Sequence, residues 1–356
     1  MTSSPAPLPP NAVIATSPVR VADVGGWTDT WFGGPGQVCH LAVGPGITVH
    51  ARWSRDRPPG SVFLGAPDVG ARLEIRADPP RGWCVPDSGS HPLLEHAVAS
   101  VLGDLCEPPT AGIAVEIRSA VPPGASLGTS ASVVVALIAA LRTLTGQIVD
   151  PARIAAEAHE VEVQRVGREA GIQDQWAAAT GGASLLTIDP YPRGHAKPIA
   201  LSARTIHALD TRLRTVVFGP HDSSAVHREV IRSIVRDGSP DPRALGCLRH
   251  LADLAVEAAA ALVSGDLDDW ARVLRASTDT QRLMHADLVG RHHQAAIEGA
   301  RLRGATGWKV NGAGGRGGSL TALFPDEHAA AAYGTWAGSQ GWIVPPLHLR
   351  RGVSVT

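Results

Sequence analysis

A stretch of small residues that leads directly into an apolar segment constrains the fold of this chain more than any other feature. Residues 122–132 read PPGASLGTSAS, and residues 133–144 read VVVALIAALRTL. The second segment is apolar on almost every side of a helix, which predicts a helix buried in a core. Gly124 and Gly128 let the loop backbone come close to a ligand, and we expect Thr129 or Ser130 to cap the helix.

A buried helix that begins at a polar loop is a good site for an anion. The free N–H groups of its first turn and the positive end of its dipole face the loop, and phosphate is the usual ligand of such a site. The hydroxyls of Thr129 and Ser130 also suit a magnesium ion held between phosphates. A plain turn with a helix cap uses the same residue types, and the stretch lacks the Gly-Lys-Ser/Thr of a Walker P-loop.

The composition indicates a globular chain that is large enough for two domains. It has 356 residues, of which 44% are hydrophobic and 18% charged, and its formal net charge is −1. Nothing in this balance indicates a nucleic-acid partner or an anionic membrane surface. The four cysteines form no C-x-x-C pair, so we expect no zinc site or disulfide framework and a cytoplasmic location. Residues 1–11 are rich in Ser and Pro and are expected to form a disordered tail rather than a signal peptide.

Strand and helix patterns are mixed along the chain, which predicts an α+β fold. A Pro- and Gly-rich turn at 189–198 is the expected boundary between an N-terminal domain, 12–190, and a C-terminal domain, 198–356. The hydrophobic periodicity predicts strands at 13–24, 47–53, 72–76, 113–117, 183–188, 213–218, 306–310, 320–324 and 343–349. It predicts helices at 91–102, 133–144, 151–166, 174–179, 223–236, 242–264, 267–283, 288–303 and 327–339.

A second glycine cluster, NGAGGRGG at 311–318, separates two short predicted strands near the end of the chain. It contains more glycine than a hairpin turn requires, although a plain turn is the simpler explanation. Glycine is the residue that allows a backbone to pass close to a ligand. The cluster therefore indicates a second segment that approaches a bound group, such as a phosphate.

Four polar residues are candidates for chemistry. Arg20 lies within a predicted strand, where it requires a partner if buried, and we expect it to share a cleft with Asp29 of the following GGWTD turn. Asp174, between two Gln residues, can cap a short helix or can orient and deprotonate a hydroxyl. Glu162 lies on a predicted helix, where it is either a solvated surface residue or a ligand for a divalent cation held with phosphates.

Three segments taken together resemble the galactokinase, homoserine kinase, mevalonate kinase and phosphomevalonate kinase (GHMP) superfamily. Residues 122–132 resemble its P-x-x-x-G-L-G-S-S-A motif, residues 18–29 its N-terminal motif and residues 309–315 its C-terminal motif. The three span nearly the whole chain. Residues 25–30 and 171–179 are most similar to the heptose 7-phosphate kinase and fucokinase branch, whose members phosphorylate the anomeric hydroxyl of a sugar.

The resemblance implies a two-domain fold with an N-terminal domain like ribosomal protein S5 and a C-terminal ferredoxin-like α/β domain. It implies ATP and Mg²⁺ as cofactors, with Ser130 and Glu162 as the metal ligands. Asp174 would be the catalytic acid/base, and Arg20 would hold it ionised and neutralise the transferred phosphoryl group. The ATP loop would comprise Pro123, Gly124, Ala125, Ser126, Leu127, Gly128, Thr129, Ser130 and Ala131. The acceptor would contact Asp174 and also Thr28, Asp29, Gly25, Gly26, Gly314 and Gly315.

The chain departs from the family pattern at positions that bear on the acceptor. Ser126 and Arg316 stand where the motifs have Gly, and Ala22-Asp23 replaces an Asp/Asn-then-aromatic pair. Residues 221–224, HDSS, stand where related sugar kinases have Gly and Arg. Residues 22–23 and 221–224 are expected near the acceptor, for whose phosphate the candidate arginines are Arg204, Arg228 and Arg316.

Several functions therefore stay open. The expected one is phosphorylation of a ring hydroxyl, at C1, of a sugar or a sugar phosphate such as a heptose 7-phosphate. A cyclitol phosphate of the valienol or valiolone type is an alternative acceptor. The rivals are a non-catalytic sensor that binds sugar and ATP, and a decarboxylase-type member of the superfamily. The chain is expected to act as a monomer or a homodimer.

Overall fold

The computed structural model describes residues 10–78, 82–84, 91–105, 107, 109–219 and 223–356. Most of the predicted N-terminal tail, residues 1–9, and two of the four residues at 221–224, His221 and Asp222, lie outside these ranges. The mixture of sheets and helices confirms the α+β prediction. In the described part of the chain, no helix combines the length and the apolar surface needed to cross a membrane.

The described strands form a large sheet, a three-stranded sheet and a short hairpin. In chain order they are β1 Ala12–Val24, β2 Gly36–Ser54, β3 Ser61–Ala66, β4 Ala71–Asp78, β5 Gly82–Cys84, β6 Gly112–Ser119, β7 Ala183–Ile188, β8 Gly194–Ile199, β9 Leu213–Gly219, β10 Val235–Arg236, β11 Ser239–Pro240, β12 Gly307–Val310, β13 Gly318–Leu323, β14 His348–Leu349 and β15 Ser354–Val355.

The helices surround these sheets. In chain order they are α1 Pro92–Leu102, α2 Thr129–Leu144, α3 Pro151–Glu160, α4 Gln173–Thr180, α5 Ala203–Arg212, α6 Ser223–Ile234, α7 Pro242–Ser264, α8 Leu267–Met284, α9 Arg291–Arg301 and α10 Glu327–Ser339. A π-helical turn, Val161–Arg165, continues α3.

The large sheet has the strand order β15-β1-β2-β6-β3-β4-β5, and β7 joins it through β2 and carries β8. The strand predicted at 47–53 is the second half of the longer β2, which continues through residues 44–46. The β1–β2 pairing shifts register there: the single residue between Ser17 and Val19 of β1 lies opposite three residues, 44–46, which form a bulge in β2.

Helix α2 forms the centre of the core of the large-sheet domain and packs on β1 and β2. Residues 134–141 are all fully buried, which confirms the prediction from their uniformly apolar sequence. Burial of each Val, Leu or Ile side chain contributes about 1.5–3 kcal/mol relative to exposure. The core therefore fixes the position of the N-terminus of α2, where the small-residue loop ends.

The smaller sheet is antiparallel, in the order β12-β13-β9, and α7 and α8 pack together between it and the large sheet. The turn at 189–198 lies within the β7–β8 hairpin of the large sheet, and β14 and β15 return to that sheet. The domain limits at 190 and 198 stay a prediction, and these pairings favour a boundary after Ile199.

Candidate active site

A cavity of about 440 Å³ lies where the end of β1, the N-terminus of α2 and the start of α4 meet the glycine-rich loop after β12. Among the predicted site residues, those that line it are Arg20, Asp29, Gly124, Ala125, Ser126, Gly128, Thr129, Ser130, Ala131, Glu162 and Asp174. The fold therefore brings together candidates from three distant segments of the chain.

The N-terminus of α2 opens into this cavity without a side-chain cap. Gly128 is the N-cap residue, with φ +72°, so the expected cap by Thr129 or Ser130 is wrong. Both residues lie in the first helical turn because glycine adopts the left-handed cap conformation that they would adopt only with strain. The Thr129 hydroxyl is buried and has no hydrogen-bond partner within the described structure. An anion or another polar ligand can satisfy this hydroxyl and the first N–H groups of the helix.

Ser126 adopts a left-handed conformation, with φ +57°. Glycine adopts this conformation freely, whereas it costs a serine about 1–2 kcal/mol. The chain therefore keeps this backbone conformation although Ser replaces the Gly of the motif. The Ser126 carbonyl accepts a hydrogen bond from Nη1 of Arg20. That contact joins the small-residue loop to the arginine.

Arg20 and Asp174 form an ion pair at the centre of the cavity. Nε of Arg20 lies 2.8 Å from Oδ1 of Asp174; the arginine side chain is 4% exposed and the aspartate side chain 30%. Burial lowers the pKa of Arg20, but the charges of Asp174, Asp23 and Asp29 together raise it above its ordinary value. The arginine therefore stays charged and fixes the orientation of a partly open carboxylate.

Gly128 is in close contact with Asp174. A Cβ atom added to Gly128 would lie 3.1 Å from Cγ of Asp174. The absence of a side chain therefore lets the small-residue loop approach the carboxylate closely. A group bound at the helix N-terminus would lie beside Asp174.

Glu162 lies in the π-helical turn and also reaches the cavity. Its Oε2 accepts a hydrogen bond of 2.8 Å from Nε2 of Gln175, and its Oε1 lies 3.7 Å from Nη1 of Arg168. Burial raises the pKa of Glu162 to about 7, although the charge of Arg168 opposes that shift. A π-helical turn is rare and often marks a functional site.

The donor set fits a magnesium ion that is shared with phosphates. The described residues contain no cluster of three or more His, Cys, Asp or Glu side chains arranged to hold a metal. Magnesium is commonly held by one or two protein ligands together with substrate phosphates and water. Glu162 and the hydroxyl of Ser130, which line the same cavity, are therefore a sufficient protein contribution.

Asp29 lies buried in the wall of the cavity against the start of α4. Its Oδ2 accepts a hydrogen bond of 2.9 Å from the Gln173 backbone N–H, and burial raises its pKa to about 6. A Cβ atom on Gly171 would lie only 1.9 Å from Oδ2 of Asp29, so a side chain at this position would displace the carboxylate.

The other predicted residues of the GGWTD turn lie behind the cavity wall. The Thr28 hydroxyl donates to the carbonyls of Gly25 and Gln37, at 2.7 and 3.0 Å, and the residue is fully buried. A Cβ atom on Gly25 would lie 2.0 Å from the Gln37 carbonyl oxygen, and Gly26 packs against Asp23. In this structure these residues shape the turn and do not line the cavity.

The C-terminal glycine cluster contributes Gly312 and Ala313 to the cavity, whereas Gly314 and Gly315 pack away from it. The Gly315 N–H donates to the Leu288 carbonyl at 3.3 Å, and a Cβ atom on Gly314 would lie 2.0 Å from the same oxygen. Of the predicted ATP-loop residues, Leu127 is buried in the core and Pro123 lines an adjoining pocket.

Sequence reasoning missed several residues of the cavity wall. The cavity is also lined by Arg168, Glu169, His227 and the two glutamines beside Asp174. Of the three candidate arginines, Arg228 lines the cavity, whereas Arg204 and Arg316 are exposed elsewhere. The glutamines carried a local signal because they flank Asp174. Nothing in the sequence around Arg168 or His227 distinguishes them from surface residues. Ala22 and Asp23, which are expected near the acceptor, are both buried and do not line the cavity, although Asp23 contacts Arg20 of its wall; their position relative to the acceptor stays a prediction.

An adjoining pocket of about 240 Å³ extends from the N-terminus of α2. Its lining is mainly apolar, and it shares Gly124, Thr129, Ser130 and Arg168 with the main cavity. Its apolar wall includes Leu93, Leu94, Ile117, Pro123 and Val133.

Residues 93–182, which include the small-residue loop, α2 and Asp174, match the family model described as the GHMP kinases N terminal domain. Over this segment the chain carries a GHMP kinase N-terminal domain. A mevalonate kinase from Thermococcus gammatolerans is 30% identical over 226 residues, which are 62% of each chain. The D-glycero-alpha-D-manno-heptose 7-phosphate kinase from Campylobacter jejuni is 24% identical over 267 residues, 73% of this chain and 74% of that one. The match to this mevalonate kinase thus spans less than two thirds of its length.

Solved GHMP kinases share the fold over nearly the whole chain. A D-glycero-D-manno-heptose 1-phosphate kinase from Bacteroides thetaiotaomicron superposes with a TM-score of 0.74 at 17% identity, covering 97% of this chain and 98% of that one. Galactokinase from Lactococcus lactis, solved with galactose, gives a TM-score of 0.72 at 19% identity, covering 96% and 95%. The predicted two-domain GHMP kinase fold is therefore confirmed.

Proposed function

We propose that this protein is an ATP- and Mg²⁺-dependent kinase that phosphorylates a ring hydroxyl, at C1, of a sugar phosphate such as a heptose 7-phosphate. The observation that carries the proposal is the position of the Asp174 carboxylate. It is held by Arg20 at 2.8 Å and lies against Gly128, beside the open N-terminus of α2. A carboxylate and an anion site that share one cavity suit transfer of a phosphoryl group to a hydroxyl.

The nucleotide would bind across the N-terminus of α2. Its phosphates would take the free N–H groups of the first turn and the unpartnered hydroxyl of Thr129. The adjoining apolar pocket suits a nucleoside base, because it shares three residues with the phosphate site. A magnesium ion held by Ser130, Glu162 and the phosphates would supply neutralisation of the charge that develops during transfer.

Asp174 would align the acceptor hydroxyl and accept its proton while the new oxygen–phosphorus bond forms and the bond to ADP breaks. Arg20 orients this carboxylate and brings its own positive charge to the reaction centre. Phosphoryl transfer depends mainly on positioning and charge neutralisation, so this pair requires no covalent intermediate on the protein.

A phosphorylated acceptor is favoured by the distribution of arginines around the cavity. Arg168 lies beside Glu162 and also lines the apolar pocket, which supports a role for it at the proposed nucleotide end. Arg228 lines the main cavity next to His227, whose ring lies 4.5 Å from the ring of Trp27 in the GGWTD turn. The guanidinium of Arg228, at the end of the cavity near Trp27, suits the phosphate of a sugar phosphate. The similarity to a heptose 7-phosphate kinase supports the same acceptor class.

ADP release from ATP and Mg²⁺ tests the proposal across mannoheptose 7-phosphate, fucose, galactose, mevalonate and valienol- and valiolone-type cyclitol phosphates. Turnover is expected with mannoheptose 7-phosphate. In Asp174→Asn it should fall about 10²- to 10⁴-fold while ATP affinity stays nearly unchanged. Full activity in that variant would remove Asp174 from its role. Tight ATP binding without turnover of any acceptor would instead favour the sensor.

The acceptor class is tested separately by Arg228→Met, with Arg204→Met as the matched surface control. The loss of a charge-assisted contact should raise KM for a phosphorylated acceptor about 10-fold or more and leave KM for ATP unchanged. An equal effect in both variants, or none in either, would contradict a phosphate site at Arg228.

A further inference from the structure

Asp23 is a buried carboxylate that lies outside the cavity and connects the two domains. It is fully buried at the end of β1, and both of its oxygens accept from the Gly312 N–H, at 3.1 and 3.0 Å. Gly312 belongs to the glycine-rich loop of the smaller sheet, 289 residues further along the chain. The carboxylate therefore holds a cavity-lining loop of one domain against a strand of the other.

The local backbone directs Asp23 towards that loop. The β1–β2 pairing shifts register between Val21 and Val24, and Ala22 adopts a left-handed conformation with φ +54°. Bulges of this kind redirect side chains out of the regular alternation of a strand. The Ala22 N–H donates to Oδ1 of Asn311 at 3.0 Å, which provides a second contact between this bulge and the loop.

Two buried cations, Arg20 and Lys309, stabilise the negative charge of Asp23. Nη1 of Arg20 lies 3.8 Å from its Oδ1. Lys309 of β12 is also fully buried and donates to Oε1 of Gln281 at 3.0 Å. Burial raises the pKa of Asp23, but the charges of Arg20 and Lys309 and the Gly312 N–H lower it below its ordinary value.

The guanidinium of Arg20 is thus shared by three groups. It contacts Asp23, the Ser126 carbonyl of the small-residue loop and the Asp174 carboxylate. Gly312 packs directly on it, since a Cβ atom there would lie 2.9 Å from Nη2. A shift of either Asp23 or the Gly312 loop would therefore change the direction in which Arg20 holds Asp174.

We infer that Asp23 is a positioning residue, which sets the geometry of the Arg20–Asp174 pair by fixing the Gly312 loop against Arg20. The inference rests on the proposed kinase function for its effect on turnover. This chain has a carboxylate at position 23, where the N-terminal motif of the GHMP superfamily has an aromatic residue. Because Asp23 does not line the cavity, its effect reaches the reaction only through Arg20 and the loop.

Two variants separate the hydrogen bond that the Asp23 oxygens accept from the effect of the Asp23 charge. Asp23→Asn keeps an oxygen for the Gly312 N–H and loses the charge, whereas Asp23→Leu loses both. Since a small misplacement in an active site can cost about 100-fold in rate, we expect kcat to fall about 10-fold in the first variant and about 100-fold in the second. KM for ATP should stay within about twofold, because the contacts of α2 are unchanged.

The double variant Asp23→Asn/Lys309→Met distinguishes positioning from simple charge pairing. Removal of the unmatched lysine should restore the unfolding midpoint that Asp23→Asn loses. It should not restore kcat if Asp23 acts by orienting Arg20. Recovery of both would show that Asp23 is only a structural partner of Lys309 and would overturn the inference.

Hydrogen exchange provides a readout that does not depend on turnover. A peptide spanning residues 309–317 should exchange faster in Asp23→Leu, while a peptide from α10 should keep its rate. Unchanged protection of the loop would refute the positioning role whatever the activity. Faster loop exchange in Asp23→Leu, together with a wild-type protein that turns over no acceptor, would support the contact and refute the kinase proposal instead.

Discussion

Asp29→Asn is expected to stabilise the protein in a pH-dependent way. Asp29 is 2% exposed, and burial, reinforced by the charge of Asp174, raises its pKa from 3.8 to about 6 against the hydrogen bond from the Gln173 N–H. Asparagine retains an oxygen for that N–H, at 2.9 Å in the present structure, and cannot ionise. The substitution therefore removes the cost of a buried charge and keeps the hydrogen bond.

The size and sign of the effect follow from this pKa. A difference of about two pKa units, at about 1.36 kcal/mol each, makes the ionised form about 3 kcal/mol less favourable in the folded chain than in the unfolded chain. Because the pKa of Asp29 is higher in the folded state, the folded chain binds more protons between about pH 4 and pH 6. The free energy of unfolding should fall by this amount as the pH rises through that window and stay reduced at pH 7.

Urea unfolding at pH 4, 5, 6 and 7 measures the effect. The free energy of unfolding of Asp29→Asn should exceed that of the wild type by up to about 3 kcal/mol at pH 7, and the two should converge near pH 4. Asp56→Asn is the matched control at an exposed position and should change stability by less than about 0.5 kcal/mol at any pH.

A gain of the same size at every pH, or a loss at pH 7, would refute the argument, since neither follows from the titration of Asp29. The variant should also lose affinity for the acceptor, because Asp29 lines the cavity. A gain in stability with a loss of activity is the usual consequence of neutralising a buried charge that serves function.

Three further substitutions test the site. Ser130→Ala should raise the Mg²⁺ concentration needed for half-maximal activity; an unchanged requirement would mean that Ser130 does not hold the ion. Glu162→Gln should raise it further, by about 10-fold or more in a magnesium titration, because a charged ligand is lost. Gly128→Ala should lower kcat more than 10-fold, since its Cβ atom would lie 3.1 Å from Cγ of Asp174. Gly167→Ala, with a similar φ of +74° and open space, should leave kcat unchanged, and equal losses in both would contradict the packing argument.

Local sequence signals predicted much of the fold correctly. The uniformly apolar segment predicted α2, and α7 and α10 have the predicted bounds. The helix predicted from residue 151 begins there as α3, and the Asp150 carboxylate caps it by accepting a hydrogen bond of 2.8 Å from the Arg153 N–H. These predictions succeeded because burial of one face and capping of one end depend on residues that are close in sequence.

Two short polar elements escaped prediction because they bury little apolar surface. Strand β8 and helix α5 were not predicted, because few of their side chains are buried and the apolar pattern is weak. The Ser202 side chain does cap α5 by accepting from the Thr205 N–H at 3.0 Å, a local signal that could have found it. The cap of α2 was assigned to the wrong residue because a left-handed glycine replaces a side-chain cap there.

The amino-acid sequence alone indicates the small-residue loop, the buried helix behind it and several of the residues that line the cavity. Long-range packing is what brings these residues together. Arg20 and Asp174 are 154 residues apart in sequence, and Asp23 and Gly312 are 289 apart. Their contacts depend on the pairing of β1, the seating of α2 in the core and the packing of the two domains. A local pattern indicates which side of a segment is buried. Long-range packing determines which residue pairs with a buried charge.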